Sequence, residues 1–203
     1  AAVEAAARVL GPQQLAVGID GGISYLIHGM KLHLEKHNMH VVVKLDLRNA
    51  YNTISRSVVL RRMNSHPELR HLVPFLHALG GPATDLWVDK MKASFTSSEG
   101  VQQGLPPSSL EFCVGIQPEL KALDEALQPH KGVARAIMDD VYAAGPPNVV
   151  FPAIERFAAS LKEMTDLEDQ PSKYACFSHR YNLADCPWRQ RLGIPIGSAL
   201  HVD

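Results

Sequence analysis

Asp139 and Asp140 stand side by side in the middle of an apolar stretch, AIMDDVYAAG, running from Ala136 to Gly145. Asp is depleted in strands and seldom buried, whereas Ile137 and Met138 before the pair and Val141 and Tyr142 after it favour buried strands. The pattern predicts a strand–turn–strand with two carboxylates at its tip. Taken alone, such a pair also suits an ordinary surface turn, because Asp is a favoured turn residue. A third carboxylate widens the chemistry. Asp46 follows the run His40 to Leu45, whose three consecutive valines predict a strand buried on both faces. Brought to one edge of a small sheet, three carboxylates repel one another unless divalent cations lie between them. Two magnesium ions, about 3.5–4 Å apart, can clamp the attacking and leaving oxygens of a phosphoryl transfer. Hard oxygen ligands favour Mg2+ over zinc.

The elements that must hold these residues can be read from hydrophobic periodicity. Asp20 is a candidate cap for a helix that places Ile23, Leu26, Ile27, Met30 and Leu34 on one face. Ser55 is a candidate cap for a short helix through Met63, and Pro67 fits the first turn of another reaching Leu79, stopped by Gly80-Gly81-Pro82. Two short strand-like runs follow, Leu86 to Val88 and Ala93 to Thr96. Gly100 to Ser109 reads as a loop before a long helix over 108–127. After the Asp-Asp hairpin, Asn148 is placed to cap a helix reaching about Thr165, and 173–178 and 190–196 read as strands. The order predicts an α+β fold, an antiparallel sheet with helices packed on one face.

Composition bounds the class. The 203 residues are 46% hydrophobic and 20% charged, enough for a sizeable core in one domain. The first ten residues, AAVEAAARVL, read as the broken end of a helix and not as a signal peptide. No apolar run approaches the roughly 20 residues that cross a membrane. Three cysteines, Cys113, Cys176 and Cys186, are too few and odd for a disulfide framework and point to a reducing intracellular compartment. The net charge of −1 gives no global support to nucleic-acid binding. Locally, eight basic residues face three acidic ones between Lys31 and Arg70, a stripe that suits either a phosphate backbone or the solvated face of helices. His33 and His37, four apart, have a zinc-compatible spacing but lack a second ligand pair. Cys176, His179 and Cys186 likewise lack a fourth ligand.

Five segments occur in a telling order: KLDLRNAYNTISR (Lys44 to Arg56), EGVQQGLPPSSLEF (Glu99 to Phe112), AIMDDVYAAG, LEDQPSKYACFS (Leu167 to Ser178) and RLGIPIG (Arg191 to Gly197). Together they resemble the successive palm motifs of reverse transcriptases, of the non-long-terminal-repeat retrotransposon type. The resemblance covers about Gly11 to Gly197. It implies a polymerase palm plus part of the fingers: palm at 40–66 and 99–179, fingers-like or connecting parts at 1–39 and 67–98, and a primer-grip-like hairpin at 180–203. It also implies that the thumb and the upstream, phosphate-gripping fingers segment lie outside the chain.

Carried over residue by residue, the resemblance implies that Asp46 and Asp139, with Asp140 beside them and the carbonyl of Leu47, bind two Mg2+ or Mn2+ ions. Arg48 falls at the nucleotide site, and Tyr51 matches the aromatic that excludes a ribose 2′-hydroxyl, since a rigid ring under the sugar leaves no room for the extra oxygen. Gln103 and Gly104 match the loop that shapes the nucleotide and template pocket, where Gly lets backbone approach a base and the amide both donates and accepts. Lys173 matches a lysine that protonates the departing pyrophosphate, and Leu192 and Gly193 fall where the primer end is held. The implied activity is template-directed DNA synthesis, with an RNA template, a DNA primer and deoxynucleoside triphosphates as partners. The carboxylates alone would equally suit another metal-dependent phosphoryl transferase on a similar palm.

The chain departs from the pattern at particular positions. Leu105 stands where the pattern has Asp, Ile137 where it has an aromatic, and Glu111 at a place otherwise apolar. Asp166 and Asp169 replace a Gly and an apolar residue. These departures define the alternative expectation, a decayed or co-opted retroelement remnant that keeps the fold and acts as an RNA- or protein-binding module.

Overall fold

The computed structural model describes residues 2–81, 83–88 and 93–188. Its centre is a four-stranded antiparallel sheet in the order β4-β5-β1-β6, built from β1 (Val41–Leu45), β4 (Val133–Ile137), β5 (Asp140–Gly145) and β6 (Ala175–Phe177). A separate ribbon pairs β2 (Thr84–Val88) with β3 (Ala93–Ser97). The helices are α1 (Ala2–Leu10), α2 (Gly22–Lys36), α3 (Ala50–Thr53), α4 (Arg56–Ser65), α5 (Val73–Gly80), α6 (Ser108–Leu127) and α7 (Pro147–Thr165). Among the described residues, no helix is long and apolar enough to cross a membrane.

The valine triplet behaves as its lack of alternation demands. Val41, Val43 and Leu45 point into the main core with Phe112, Ile116, Leu120, Phe151 and Ile154 of α6 and α7. Val42 points the other way, against Leu26, Met30 and Leu34 of α2. This corrects the expected layering: α2 lies on the second face, so helices cover both sides of the sheet. A strand buried on both faces requires that second cover.

Other boundaries shift for local reasons. Gly21, in the left-handed region at φ 70°, precedes α2, so Asp20 is not its cap. Pro146 precedes α7 in place of Asn148, leaving Pro147 in the first turn, where its missing N–H costs nothing. The segment after Pro67 winds as a short 3-10 turn, Arg70–Leu72, before α5 begins with Pro74 in its first turn. The long helix agrees with its expected span of 108–127. The expected strand at 190–196, with Leu192 and Gly193, lies outside the described residues.

Candidate active site

Strand register brings the three carboxylates to one edge. β1 pairs with β5 through Leu45↔Val141, so Asp46 leaves the strand level with Asp140. β4 and β5 close at Ile137↔Asp140 with only Met138 and Asp139 between them. Two central residues are the tightest hairpin connection, and they force Asp139 to the tip. The three aspartates act on one another: burial, with Asp140 and Asp46 adding to it, raises the Asp139 carboxyl above its ordinary range.

The pair is divided by its surroundings. Asp140 accepts Lys44 Nζ at 3.0 Å, and Lys44 lies over the Tyr142 ring, opposite it in the ladder. Burial draws the Lys44 ammonium down, and Asp140 with Tyr142 more than offset this, leaving it above its usual value. Asp139 instead influences Tyr51 and Cys113, on the side of α3 and α6. Asp46 has Lys173 Nζ at 3.6 Å from Oδ2. Two lysines therefore sit on two of the three carboxylates. Among the described residues, no three His, Cys, Asp or Glu side chains are gathered into a ready-made metal cage.

Tyr51 is set by a sharp exit from β1. Asn49 turns the chain in the left-handed region, which Asn tolerates better than most residues, and starts α3. The half-buried Tyr51 ring stacks on Phe112 with centroids 4.8 Å apart. Burial first, with Cys113 and Asp139 nearby, raises the Tyr51 pKa.

The Gly100–Pro107 loop is tied to the same helix. Gly100 N–H donates to the Ile54 carbonyl at 2.9 Å and Val101 N–H to the Tyr51 carbonyl at 2.7 Å. Gly100 has φ 75°, and an added Cβ would come within 2.6 Å of the Tyr51 and Asn52 backbone. No other residue fits there. Gly104 also has a positive φ, but a Cβ on it would meet nothing within 4 Å. Its glycine answers to turn geometry, and the protein's own backbone makes no close approach. Beyond the loop lies a cavity of about 190 Å3, lined by Asn52, Arg56, Gln103, Leu105 and Glu111 among others. Glu111 is buried there, and burial raises its pKa although Arg56 draws it back down.

Four of the eight residues of the basic stripe are paired within the chain. Arg56 donates to the carbonyls of Gly81, Ser97, Glu99 and Gly100. Arg62 forks onto both oxygens of Glu119 at 2.6 and 2.7 Å. Lys44 pairs with Asp140, and exposed Arg48 reaches Glu168 at 3.5 Å. The sequence alone could not separate these from cations free to meet phosphates.

Residues 166–174 run back beside Asp46. Arg48 N–H donates to the Glu168 carbonyl and Gln170 N–H to the Asp46 carbonyl, at 2.8 and 2.9 Å. Leu47 bridges Asp169, and these flanking bonds do not use the Leu47 carbonyl. Two departures from the motif pattern are absorbed locally. Asp166 takes the left-handed position after α7 at φ 63°, which Asp tolerates. Asp169 accepts the Tyr174 hydroxyl at 2.5 Å, and burial followed by Asp169 pushes the Tyr174 pKa far upward.

Gln14, Lys44, Ser109 and Cys113 escaped the sequence reading. Ser109 and Cys113 had a findable signal, four apart at the start of the helix after the Gln-Gly loop. Gln14 had none, since its partner Met138 is 124 residues away. The His33–His37 pair gains His40, with His33 Nε2 and His40 Nδ1 3.0 Å apart.

No protein-family model matches the chain. The "Retrotransposable element SLACS 132 kDa protein" of Trypanosoma brucei gambiense is 32% identical over 106 residues, which are 51% of this chain and 9% of that protein. Apo telomerase from Candida tropicalis, truncated from its C-terminal domain, superposes with a TM-score of 0.66 at 9% identity, over 90% of this chain and 40% of that one. Telomerase from Candida albicans, in complex with the TWJ fragment of telomeric RNA, gives 0.64 at 11% identity over 89% and 34%. Another structure of apo telomerase from Candida tropicalis gives 0.66 at 8% identity over 88% and 35%. The chain thus shares the fold of these telomerase structures over most of its length. It spans about a tenth of the retrotransposon relative and well under half of each telomerase chain.

Proposed function

We propose that this chain is the palm and part of the fingers of a reverse transcriptase of the non-long-terminal-repeat retrotransposon type, serving DNA synthesis from deoxynucleoside triphosphates on an RNA template. The observation that carries this reading is the meeting of Asp46, Asp139 and Tyr51 at one sheet edge, with Lys173 beside Asp46. The retrotransposon relative and the telomerase fold support it. The donor set suits two Mg2+ or Mn2+ ions: hard carboxylate oxygens, with like charge crowded onto a half-buried Asp139. Asp46, Asp139 and the Leu47 carbonyl are the groups that would hold them, with Asp140 balanced by Lys44. Such ions supply charge stabilisation and an activated primer hydroxyl for in-line displacement of pyrophosphate.

The chain's own residues do the rest. Tyr51, braced on Phe112, presents a fixed ring to the sugar and selects deoxynucleotides. Gln103, which lines the cavity beside Glu111, and its neighbour Gly104 would shape the nucleotide and template pocket. Lys173 leaves Asp46 to meet the departing pyrophosphate as acid or counter-charge. Leu192 and Gly193 hold the primer end. The test is primer extension on RNA by a polymerase that contains this chain. Extension that survives both Asp46→Ala and Asp139→Ala removes this reading.

One observation favours a second reading, a remnant that keeps the fold without catalysis. Lys44 and Lys173 already neutralise two of the three carboxylates without any metal. Calorimetry separates the two readings: heat of Mg2+ or Mn2+ binding at millimolar concentration supports the enzyme, and its absence supports the remnant.

A further inference from the structure

The turn that carries Asp139 is held in a conformation its sequence resists. Met138 has φ 56°, a region that long side chains rarely adopt. A two-residue hairpin turn demands a positive φ at its first central position, which Gly or Asn usually supplies. Something other than Met138 itself must therefore fix this turn.

One buried side chain does so. Gln14 Nε2 donates to the Met138 carbonyl at 2.9 Å, and Met138 N–H donates to Gln14 Oε1 at 3.1 Å. A carboxamide presents a donor and an acceptor side by side, and so grips both backbone groups of one residue. A carboxylate at neutral pH can only accept.

The grip is anchored at its own root. Gln14 is fully buried and forms a parallel bridge to Ala136, with Ala136 N–H on the Gln13 carbonyl and Leu15 N–H on the Ala136 carbonyl, both at 2.8 Å. Gln13 in turn donates to Asp124 at 2.9 Å, and Gln117 donates to the Leu10 carbonyl at 2.9 Å. Residues 10–15 are thereby fixed to α6 and to β4. The far side of the turn is also held, with Ser109 Oγ 3.8 Å from Met138 Sδ.

We propose that Gln14 is a positioning residue for the candidate active site: it holds Met138 in its strained turn and so fixes the Asp139 carboxylate relative to Asp46. Gln14 touches no carboxylate of the site. Its consequence for catalysis rests on the polymerase reading above, whereas the clamp on Met138 does not.

The test uses amide hydrogen exchange of the 203-residue chain, comparing Met138 with Val43 in the middle of the sheet. Gln14→Leu removes both bonds and speeds Met138 exchange by about tenfold or more while Val43 is unchanged, as loss of two local hydrogen bonds requires. Gln14→Glu keeps the acceptor for the Met138 N–H and gives an intermediate rate, which also serves as the readout if Gln14→Leu fails to fold. Met138→Gly relaxes the turn, so adding Gln14→Leu to it has a smaller effect on Asp139 placement, read as Mg2+ affinity by calorimetry. In an active polymerase, Gln14→Leu lowers kcat and leaves the nucleotide KM near its original value. Met138 exchange that matches wild type in both Gln14 variants overturns the clamp, as does an equal loss of Mg2+ affinity in the Met138→Gly background. Activity that survives Asp139→Ala overturns the polymerase reading instead, and the exchange result still judges the clamp.

Discussion

Asp124 lies within α6 and Asp139 sits near Cys113 of the same helix, and the two are treated in opposite ways. Asp124 is fully buried and accepts from Gln13 Nε2, Gln128 Nε2, Ala134 N–H and Arg135 Nη1, at 2.8 to 3.0 Å. Its charge is consumed in joining the 10–15 segment, α6 and β4. Asp139 is only half-buried, and its neighbours include the carboxylates Asp140 and Asp46. One site is closed by donors the chain supplies. The other gathers carboxylates, and Lys44 draws the Asp139 pKa down by less than burial and its like-charged neighbours raise it. Burial alone does not distinguish structural from functional carboxylates; what surrounds them does.

The comparison breaks most visibly in activity. In a polymerase containing this chain, Asp139→Ala or Asp46→Ala is expected to cut primer extension by about ten-thousandfold, equivalent to about 5.5 kcal/mol of transition-state stabilisation, with the fold intact by circular dichroism. Asp124→Ala reverses the pattern. It strands Arg135 and two glutamine amides, and is expected to cost about 3–5 kcal/mol in urea unfolding. Activity then falls with the unfolded fraction and with any loosening of the Gln13 anchor, far less than in Asp139→Ala. An Asp124→Ala protein of native stability would show that the closed network is ornamental.

The two regions also differ in how far the sequence reveals them. The open site was legible because its parts are local: an Asp-Asp turn, an Asp after a valine strand, a tyrosine five residues on. The strand assignments bring the aspartates to one edge, whereas Tyr51 was singled out through the motif resemblance. The closed network was not, because Gln13, Gln117 and Asp124 are joined by contacts spanning more than a hundred residues. α2 on the second face was missed although the valine triplet called for a cover there. The basic stripe was ambiguous for a related reason: Arg56 and Arg62 read as exposed helix cations until their partners, the 97–100 backbone and Glu119, are in place.

A conservative change sharpens the contrast. Burial and like charges raise the Asp139 pKa, so the folded state takes up this proton more readily than the unfolded chain. Its contribution is favourable below the ordinary carboxylate pKa of about 3.9 and is lost as pH rises through the folded value. Asp139→Asn is therefore expected to raise the melting temperature at neutral pH and to do nothing near pH 3, checked by thermal melts across pH. Asp124→Asn replaces an oxygen that accepts donors with an amide and should lower the melting temperature instead. If both substitutions shift stability the same way, the distinction between the sites is wrong.

The smallest expected effect has the opposite sign in pH and lies at the far end of β1. His33 is lowered to about 4 by burial first and then by His40, His37 and Lys36. Its ring nitrogen meets His40 at 3.0 Å, a contact that needs at least one neutral imidazole to accept. An unfolded histidine titrates near 6.5, so between about 6.5 and 4 the unfolded chain binds a proton that the folded chain refuses. Stability is full above that window and falls as pH drops through it, whereas the Asp139 contribution falls as pH rises. His33→Asn should flatten the acid limb of the melting profile while leaving the neutral plateau within a few degrees. Asp139→Asn should leave that limb and lift the plateau. A double variant that shows both changes independently would place the two titrations in separate parts of the fold, as their separation at opposite ends of β1 requires.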